Sequence, residues 1–390
     1  MDLIFITECR FYKTQSGKYY ADDMSYNNEL WKRYLNNFEK VNVIARVFES
    51  NEVFDESLLV DTVNFLPIIG FDNIGSFLKN LSVVRKQIKK YLDSSSVTIV
   101  RGAGPLGYIS SVLCRKNNIK YGIEVIGDPY DVYAPGVIQH PLRPILRKLF
   151  TYFQVNAVKH ADAVIYVTKH SLQRRYPASK KAFSTFASDV FIDSSNLLKA
   201  PRKFKVGKII NLISIGSLNQ MYKSPDILIK AVKILSERGI ESSLTWLGDG
   251  KYMNQMKDLV AELNINENVE FAGSVSAIEV RKHLDNSDIF LLVSRTEGLP
   301  RAVVEAMARA LPCIGTNVGG IPELLDSSVL VETESPEAIA EKIEYFLNNN
   351  DFVESQSKIN LENANDYSFD KLDSKRKEFY NYLKLKHAQN

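Results

Sequence analysis

The sequence has few cysteines, no long apolar run and no strong excess of either charge. Its 390 residues include three cysteines, at positions 9, 114 and 313, which are far apart and show no CxxC spacing. Such a set argues against a disulfide framework or a zinc site and is typical of buried thiols in a reducing cytoplasm. The longest apolar stretches, such as residues 65–71, are far shorter than the ~18–20 residues that cross a bilayer. A strand-like start at Leu3 also predicts that no signal peptide is present.

Charge is distributed unevenly along the chain, although the net charge is only +3. Residues 1–200 hold 26 Lys or Arg and 19 Asp or Glu, whereas residues 201–390 hold 23 and 27. The basic first half predicts an anionic partner or surface there, but the excess is too small to indicate nucleic acid. None of the five histidines has metal-ligand spacing.

The length and the pattern of strands and helices predict two domains. A chain of this length suits two cores of ~150–200 residues each. Strand-like and helix-like stretches alternate in both halves, which predicts an α/β fold with doubly wound parallel sheets. We place the first domain, on the acceptor side, at 1–195 and the second, on the donor side, at 200–365, with a polar hinge near 190–205. A final helix at 366–386 is expected to join the first domain. In such sheets, ligands bind beyond the carboxyl ends of the strands. In the first half these ends predict four rim segments: 7–17, 101–104, 127–130 and 168–171.

The stretch over residues 288–325 carries the strongest chemical signal. It reads as a strand, a sharp loop, a helix and a second strand, with Glu297 in the loop and Glu305 in the helix. The free N–H groups of Arg301 and Ala302 at the helix start are suited to bind phosphate. Two carboxylates beside them predict a site for a nucleotide-sugar. The alternative is that Glu305 joins a solvated ion ladder with Arg301 and Arg309.

The segments EGLPRAVVEAM and TNVGGIPELL together resemble the signature of the retaining glycosyltransferases of family four. The resemblance implies the GT-B fold, with two Rossmann-like doubly wound parallel-sheet domains facing a cleft, and a role in bacterial surface polysaccharide synthesis. It also implies that Lys223 and the helix start stabilise a departing diphosphate, that Glu305 holds the ribose and that Glu297 holds the donor sugar. Neither a cofactor nor a metal is expected. The donor-binding residues it implies are Gly216, Ser217, Gly248, Val275, Gly298, Leu299, Pro300, Arg301, Ala302 and Glu305.

Two positions depart from the family pattern. Ser217 stands where relatives have a diphosphate-binding arginine, so one charge of the clamp is missing unless Arg301 or another basic residue supplies it. Gly127 and Asp128 stand where many relatives have a histidine near the transferred sugar. Asp128 is therefore our candidate for the acceptor side, and the alternative is an aspartate that caps its own turn.

Other functions remain open on the sequence alone. Gly102 to Gly107 form a literal G-x-G-x-x-G after a strand and before a helix, and Glu124 lies twenty residues past Gly104. This pattern is typical of dinucleotide binding and keeps an NAD-dependent oxidoreductase as an alternative. The departures at Ser217 and Asp128 keep a catalytically decayed binding protein as another.

Two basic helical stretches, 77–91 and 140–160, interleave Lys and Arg with apolar residues. Helices of this kind can rest on an anionic membrane and face a lipid-linked acceptor. The alternative is that the charges only form solvated faces. We therefore expect a cytoplasmic protein and keep peripheral contact with the inner face of the membrane as a hypothesis.

Overall fold

A computed structural model describes residues 1–135, 137–138, 140–190, 192–193, 196–205 and 207–388. The predicted domain boundary at 195, and part of the predicted hinge, lie outside these residues. The chain divides into two compact units. The first comprises Met1–Tyr130, Ile145–Ala187 and the chain from Ser374 onward, and the second comprises Asp131–Pro144 and Ser188–Asp373.

The first unit is built on a nine-stranded sheet, whose parallel part has the order β5-β3-β1-β6-β7-β8-β9. The short strands β2 and β4 add an antiparallel extension beside β1. The strands are β1 (Leu3–Lys13), β2 (Tyr19–Ala21), β3 (Val41–Glu49), β4 (Leu59–Val60), β5 (Asn64–Ile69), β6 (Val97–Arg101), β7 (Tyr121–Val125), β8 (Ala163–Tyr166) and β9 (Phe183–Phe186). The helices are α1 (Asn28–Leu35), α2 (Ile74–Tyr91), α3 (Pro105–Lys116), α4 (Pro129–Val132), α5 (Arg143–Lys159) and α6 (Ser171–Arg175).

Most of the predicted rim segment over residues 7–17 belongs to strand β1 and not to a loop after it. The apolar pattern ends near Ile6, but β1 continues to Lys13 through a register shift between Ile6 and Arg10. Its far end then turns back and pairs antiparallel with β2. Period-2 patterning does not reveal this continuation because the outer half of the strand is only partly buried.

The second unit is built on a six-stranded parallel sheet with the order β12-β11-β10-β13-β14-β15. The strands are β10 (Ile210–Ile215), β11 (Ser242–Leu247), β12 (Val269–Gly273), β13 (Ile289–Leu292), β14 (Cys313–Thr316) and β15 (Leu330–Val331). The helices are α7 (Pro225–Glu237), α8 (Met253–Glu262), α9 (Ala277–Asp285), α10 (Arg301–Ala308), α11 (Pro336–Leu347) and α12 (Asn350–Ala364). A last helix, α13 (Phe369–Ala388), follows. The strand order proceeds outward in opposite directions from β10 and β13, so a crevice forms between the loops that follow these two parallel strands.

Helix α13 packs within the first unit against a glycine on the central strand β7. A Cβ atom at Gly122 would lie 2.5 Å from Leu383 Cδ1 and 2.7 Å from Phe379 Cζ, and both of these side chains are fully buried. The absence of a side chain at Gly122 therefore allows the helix to approach the sheet closely.

We predict that Gly122→Ala destabilises the first unit by ~1–3 kcal/mol, because the added methyl group overpacks a closed core. Thermal unfolding followed by circular dichroism measures the effect. Gly127→Ala is the matched control, since a Cβ atom there meets nothing within 4 Å. Equal melting temperatures for the two variants would contradict the close packing of α13 on β7.

Candidate functional site

Two glycine-containing loops of the second unit interlock at the carboxyl ends of β10 and β11. The N–H of Leu218 donates to the Asp249 carbonyl at 2.9 Å, and the N–H of Gly216 donates to the Leu247 carbonyl at 2.9 Å. Gly248 has φ +130°, and a Cβ atom there would lie 2.2 Å from the Gly216 carbonyl oxygen. Glycine is required at position 248 by both the backbone conformation and the close approach. Two of the predicted donor-binding glycines, 216 and 248, are thus in direct contact.

A second pair of loops interlocks at the ends of β13 and β14. The N–H of Gly320 donates to the Gly298 carbonyl at 2.7 Å. Gly319 has φ +53°, and a Cβ atom there would lie 1.8 Å from the Glu297 carbonyl oxygen. The hydroxyl of Thr316 also donates to the Ser294 carbonyl at 2.7 Å. The Gly-Gly loop therefore shapes the backbone that presents Glu297.

Lys223 and Glu297 form a buried ion pair at this edge. Lys223 Nζ donates to Glu297 Oε1, and the side chains are only 11% and 7% exposed. The Ser294 hydroxyl donates to the same carboxylate oxygen at 2.8 Å. The stem of Lys223 packs on Gly216, where a Cβ atom would lie 2.9 Å from Lys223 Cγ. The structure thus brings together Lys223, Glu297 and Gly216, which are far apart in the sequence.

Arg295, which sequence reasoning missed, holds the Lys223 turn in place. Its guanidinium forms two hydrogen bonds with Asp226, at 3.0 and 2.9 Å, and donates to Glu334 and to the Met221 carbonyl. The backbone N–H of Arg295 donates to the Tyr222 carbonyl at 2.7 Å. Partial burial lowers the pKa of the Arg295 guanidinium. The hydrogen bonds to Asp226 and Glu334 raise the pKa by more, so the net shift is upward. The only signal for this role in the sequence is an arginine two positions before Glu297.

The turn itself is strained at Ser224. This residue lies between Lys223 and the first helical proline of α7, with φ +53° and ψ +48°, in the left-handed region that non-glycine residues disfavour. Its buried hydroxyl has no hydrogen-bond partner among the described residues. Strain of this kind is maintained only where the surroundings impose it, and the Arg295 contacts supply that constraint.

Helix α10 begins with open N–H groups next to an unpaired carboxylate. Its N-cap is Pro300, which provides no side-chain hydrogen bond to the first turn. Glu305 is partly buried and forms no hydrogen bond or ion pair within the described part of the chain. Arg309 pairs instead with Asp285, at 2.6 and 2.9 Å. The predicted alternative of an ion ladder through Glu305 is therefore wrong, because Arg309 has another partner.

Burial raises the pKa of Glu305, and the nearby charge of Arg301 only partly offsets this effect. An unpaired, partly buried carboxylate destabilises the free protein and is typical of a side chain awaiting a ligand. It lies one turn past the open start of α10. The helix start and Glu305 thus provide donors and an acceptor within about one helical turn.

The remaining predicted donor-binding positions surround these groups. Gly298, Leu299 and Pro300 form the corner between β13 and α10. Val275 follows Gly273, whose carbonyl accepts the Gly248 N–H at 2.7 Å. The Ser217 hydroxyl accepts from the Asn219 N–H at 3.2 Å, so it caps its own turn. Ser217 adds no positive charge at the position where the resemblance implies an arginine, and the exposed Arg301 is a cation at the helix start.

Asp128 lies at the carboxyl end of β7 in the first unit and is strongly bound. Its carboxylate accepts from the Tyr130 N–H at 3.0 Å and from Arg175 and the Tyr176 hydroxyl. The bond to Tyr130 N–H is the turn-capping role left open by the sequence. Two guanidinium groups lie near the ring of Tyr130, with Arg147 at 3.5 Å and Arg175 at 4.6 Å from its centroid. A role for Asp128 on the acceptor side stays a prediction.

The G-x-G-x-x-G loop of the first unit is filled by the protein itself. Glu8 Oε1 accepts the Gly107 N–H at 2.9 Å, and a Cβ atom at Gly104 would lie 2.6 Å from the Glu8 carboxyl carbon. Burial raises the pKa of Glu8, and the Gly107 N–H and the charge of Arg46 act against this rise. The carboxylate takes the position at the helix start where this motif binds pyrophosphate.

Glu124, the acidic residue expected on the ribose, is also engaged. It forms a buried ion pair with Arg101 at 2.5 Å and accepts from the Tyr34 hydroxyl at 2.9 Å. Both parts of the dinucleotide pattern are therefore used in internal contacts. This geometry argues against the NAD-dependent oxidoreductase.

Each unit carries a Rossmann-like parallel sheet, and the second has an open helix start with a lysine and two glutamates near it. Similar solved structures identify the fold class to which this architecture belongs. The chain is similar to sucrose-phosphate synthase from Thermosynechococcus elongatus, with a TM-score of 0.70, 13% identity and coverage of 99% of this chain and 100% of that one. It is also similar to HepE from Anabaena, with a TM-score of 0.65, 13% identity and coverage of 97% and 99%. These likenesses identify the GT-B fold.

Comparison of the sequence with known families and proteins gives a finer result than the fold. The model of the family described as Glycosyl transferases group 1 matches residues 199–364. Residues 199–364 are therefore similar to group 1 glycosyltransferase domains. The chain is 26% identical over 390 residues to Protein CapJ of Staphylococcus aureus, covering 99% of this chain and 96% of that protein. It is 33% identical over 126 residues to the amylovoran biosynthesis glycosyltransferase AmsK of Erwinia amylovora, covering 31% of each.

We predict that Arg295→Met loosens the turn that carries Lys223, because Asp226 and Glu334 lose their shared cation. The expected loss is roughly 2–3 kcal/mol of unfolding free energy, less than for a fully buried pair because Arg295 is 17% exposed. Amide hydrogen exchange should also accelerate at residues 221–224.

Arg238→Met is the matched control for this variant. It breaks a more exposed pair with Glu344, at 2.9 Å, and should cost less than ~1 kcal/mol. If the two variants have equal stability and unchanged exchange at residues 221–224, the Arg295 contacts do not hold the turn.

A second prediction concerns Glu305 and pH. The pKa of Glu305 is higher in the folded protein than the reference value of 4.5, so the folded state binds its proton more tightly than the unfolded state. Its contribution to stability is thus fully present below about pH 4.5 and is lost as the pH rises through the folded-state pKa. Glu305→Gln removes this loss.

We therefore expect the melting temperature of Glu305→Gln, relative to wild type, to rise between pH 4.5 and pH 8. Differential scanning calorimetry across this range measures the difference. Glu267→Gln, at an exposed position of the same unit, controls for the removal of one carboxylate. A Glu305→Gln difference that does not change with pH would contradict the burial of an unpaired carboxylate.

Proposed function

We propose that this protein is a retaining glycosyltransferase that moves a sugar from a nucleoside-diphosphate sugar to a hydroxyl of a glycan or lipid-linked glycan. The observation that carries the proposal is the grouping in one group 1 domain of the buried Lys223–Glu297 pair, the open start of α10 and the unpaired Glu305. These groups supply positive charge, N–H donors and carboxylate acceptors, which are the partners that a diphosphate and its two sugars need.

The donor binds to the second unit in this proposal. The N–H groups of Arg301 and Ala302 face the diphosphate, and Lys223 neutralises the charge that grows on it as the sugar departs. Glu305 accepts hydrogen bonds from the ribose, which provides the carboxylate with the partners it lacks in the free protein. Glu297 accepts from a hydroxyl of the transferred sugar while it shares Lys223 with the diphosphate. Preorganised charges of this type are commonly the largest contribution to catalysis.

The transfer step in this proposal is the one that the resemblance to retaining transferases implies. The acceptor oxygen attacks the anomeric carbon from the face that the diphosphate leaves. The bond between the anomeric carbon and the diphosphate oxygen breaks as the new glycosidic bond forms, and the proton of the acceptor hydroxyl passes to a diphosphate oxygen. No side-chain nucleophile takes part. Lys223 and the helix start supply the positive charge in place of a metal ion.

The names of similar proteins support the type of product and donor. AmsK is named for amylovoran biosynthesis, and the HepE structure was solved in complex with UDP. We therefore assign the protein to polysaccharide biosynthesis, and UDP-sugars are the first donors to test.

A thermal-shift screen against UDP-, GDP- and ADP-sugars tests donor binding. We expect one base to raise the melting temperature of wild type, and we expect a much smaller rise for Glu305→Ala because the ribose loses its acceptor. NADH serves as the negative control. A shift with NADH and with none of the nucleotide-sugars would reject the transferase.

Turnover separates an enzyme from a decayed binding protein. With the identified donor and an acceptor glycan, we expect Lys223→Ala to lower kcat by ~10²–10³, as for the loss of one preorganised charge on a leaving group. Glu305→Ala should instead act mainly on the donor KM. Release of free nucleoside diphosphate by wild type excludes the binding protein, and wild-type transfer by both variants would show that the assigned roles are wrong.

A further inference from the structure

One face of the first unit combines unpaired positive charge with exposed apolar side chains. Helices α2, α3 and α5 pack on this face, since Val84, Leu106 and Val158 belong to one buried cluster with Ile4 and Ile6 of β1. Helix α1 lies on the opposite face, where Trp31 contacts Phe5 with ring centroids 5.2 Å apart. We call the outer surface of α2, α3 and α5 the three-helix face.

The three helices are neighbours. The rings of Tyr108 in α3 and Phe153 in α5 stack with centroids 4.3 Å apart, and Arg115 donates to the Asn156 side chain at 2.9 Å. Helix α2 also contacts α3. The three-helix face is therefore a continuous surface.

The charge of this face has one sign. The three helices contain eleven Lys or Arg and no Asp or Glu. Eight of the basic side chains are exposed, and none of these eight pairs with a carboxylate in the described part of the chain. They are Lys79, Arg85, Lys86, Lys89, Lys90, Lys116, Lys148 and Lys159.

Some exposed lysines elsewhere in the protein are paired. Lys32 lies 2.6 Å from Glu29 on the opposite face, and Lys208 lies 3.1 Å from Glu241. Solvation alone does not explain the lack of any carboxylate among 47 residues of three helices, because solvated helices usually mix both signs. The one-sided charge thus indicates an anionic partner.

Apolar side chains lie among these charges. On α5, Ile145, Leu149 and Tyr152 follow one another at spacings of four and three residues, and they are 62%, 36% and 54% exposed. On α2, Leu78 and Val83 are 60% and 44% exposed. Large apolar side chains on the same surface as basic ones are typical of helices that lie in a membrane interface.

The charge and the apolar residues together distinguish three possible partners: a second copy of the chain, nucleic acid and an anionic bilayer. A second copy of the chain, placed face to face by a twofold axis, would bring eight exposed cations against eight exposed cations. Nucleic acid would satisfy the cations and leave Ile145 and Leu149 without an apolar partner. An anionic bilayer satisfies both, because phosphate headgroups meet the lysines while the apolar side chains enter the acyl boundary.

We propose that the three-helix face docks this protein on an anionic lipid bilayer. Helix α2 contributes most of the charge and α5 most of the apolar contact. No helix among the described residues is long and apolar enough to cross the bilayer, so the contact is made by the surface.

Vesicle co-sedimentation of the full chain, without donor or acceptor, tests this proposal. We expect wild type to pellet with phosphatidylglycerol-containing vesicles at ~0.1 M salt, not with pure phosphatidylcholine, and to be released near 1 M salt, where charge is screened. The variant Arg85→Gln/Lys86→Gln/Lys89→Gln/Lys90→Gln should lose more than about a hundredfold in affinity, since each cation near an anionic surface contributes about fivefold. Ile145→Ser should bind more weakly than wild type but still pellet at a high vesicle concentration.

Two control variants alter the second unit in the same way. Lys230→Gln/Lys257→Gln/Lys282→Gln/Lys358→Gln removes four exposed charges, and Ile278→Ser alters a side chain that is 65% exposed. Both should pellet like wild type. Failure of wild type to pellet, or equal losses in test and control variants, would overturn the proposal. A dimer in light scattering that Ile145→Ser dissociates would assign the face to self-association instead. Because no sugar nucleotide is present, these results do not depend on the proposed transferase activity.

Discussion

The candidate site depends on one buried ion pair that joins two distant segments of the second unit. Lys223 follows β10 and Glu297 follows β13, and neither side chain is stable there without a counter-charge. Arg295 fixes the turn on one side through Asp226 and Glu334, while Ser294 donates to Glu297 on the other. The pair is thus held rigidly before any ligand arrives. In the proposed function, a bound diphosphate competes with Glu297 for Lys223, which would couple donor binding to the position of the Glu297 carboxylate.

The two units use the same kind of fold in opposite ways. In the first, the start of α3 receives the Glu8 carboxylate, so the glycine-rich loop already has its anion. In the second, the start of α10 follows Pro300 and has no side-chain cap, and Glu305 nearby has no partner. Burial raises the pKa of both Glu8 and Glu305, but only Glu8 has N–H donors that compensate for it. A closed helix start contributes stability to the first unit, whereas an open one leaves the second ready to bind an anion.

The surface of the first unit shows how charge is partitioned once the helices are placed. The excess of basic residues in the first half of the sequence is small as a total. On the folded unit it is concentrated on α2, α3 and α5, because these three helices contain no Asp or Glu. Neighbouring helices therefore present a single sign of charge that the overall balance hides.

The sequence by itself determined the alternation of strands and helices in the second unit, the pairing of two glutamates with a helix start, and the resemblance to family four. These features are local: apolar periodicity, a proline at a helix start and a fixed spacing can be read within about forty residues. Only the tertiary structure decided which charges meet. It paired Lys223 with Glu297 and paired Arg309 with Asp285 instead of Glu305. It also placed Glu8 against the G-x-G-x-x-G loop, which begins at Gly102, 94 residues further along the chain. It also extended β1 past Ile6 by pairing its outer half with β2. Contacts between residues so far apart in the chain depend on the order of strands in a sheet, and periodicity carries no information about that order.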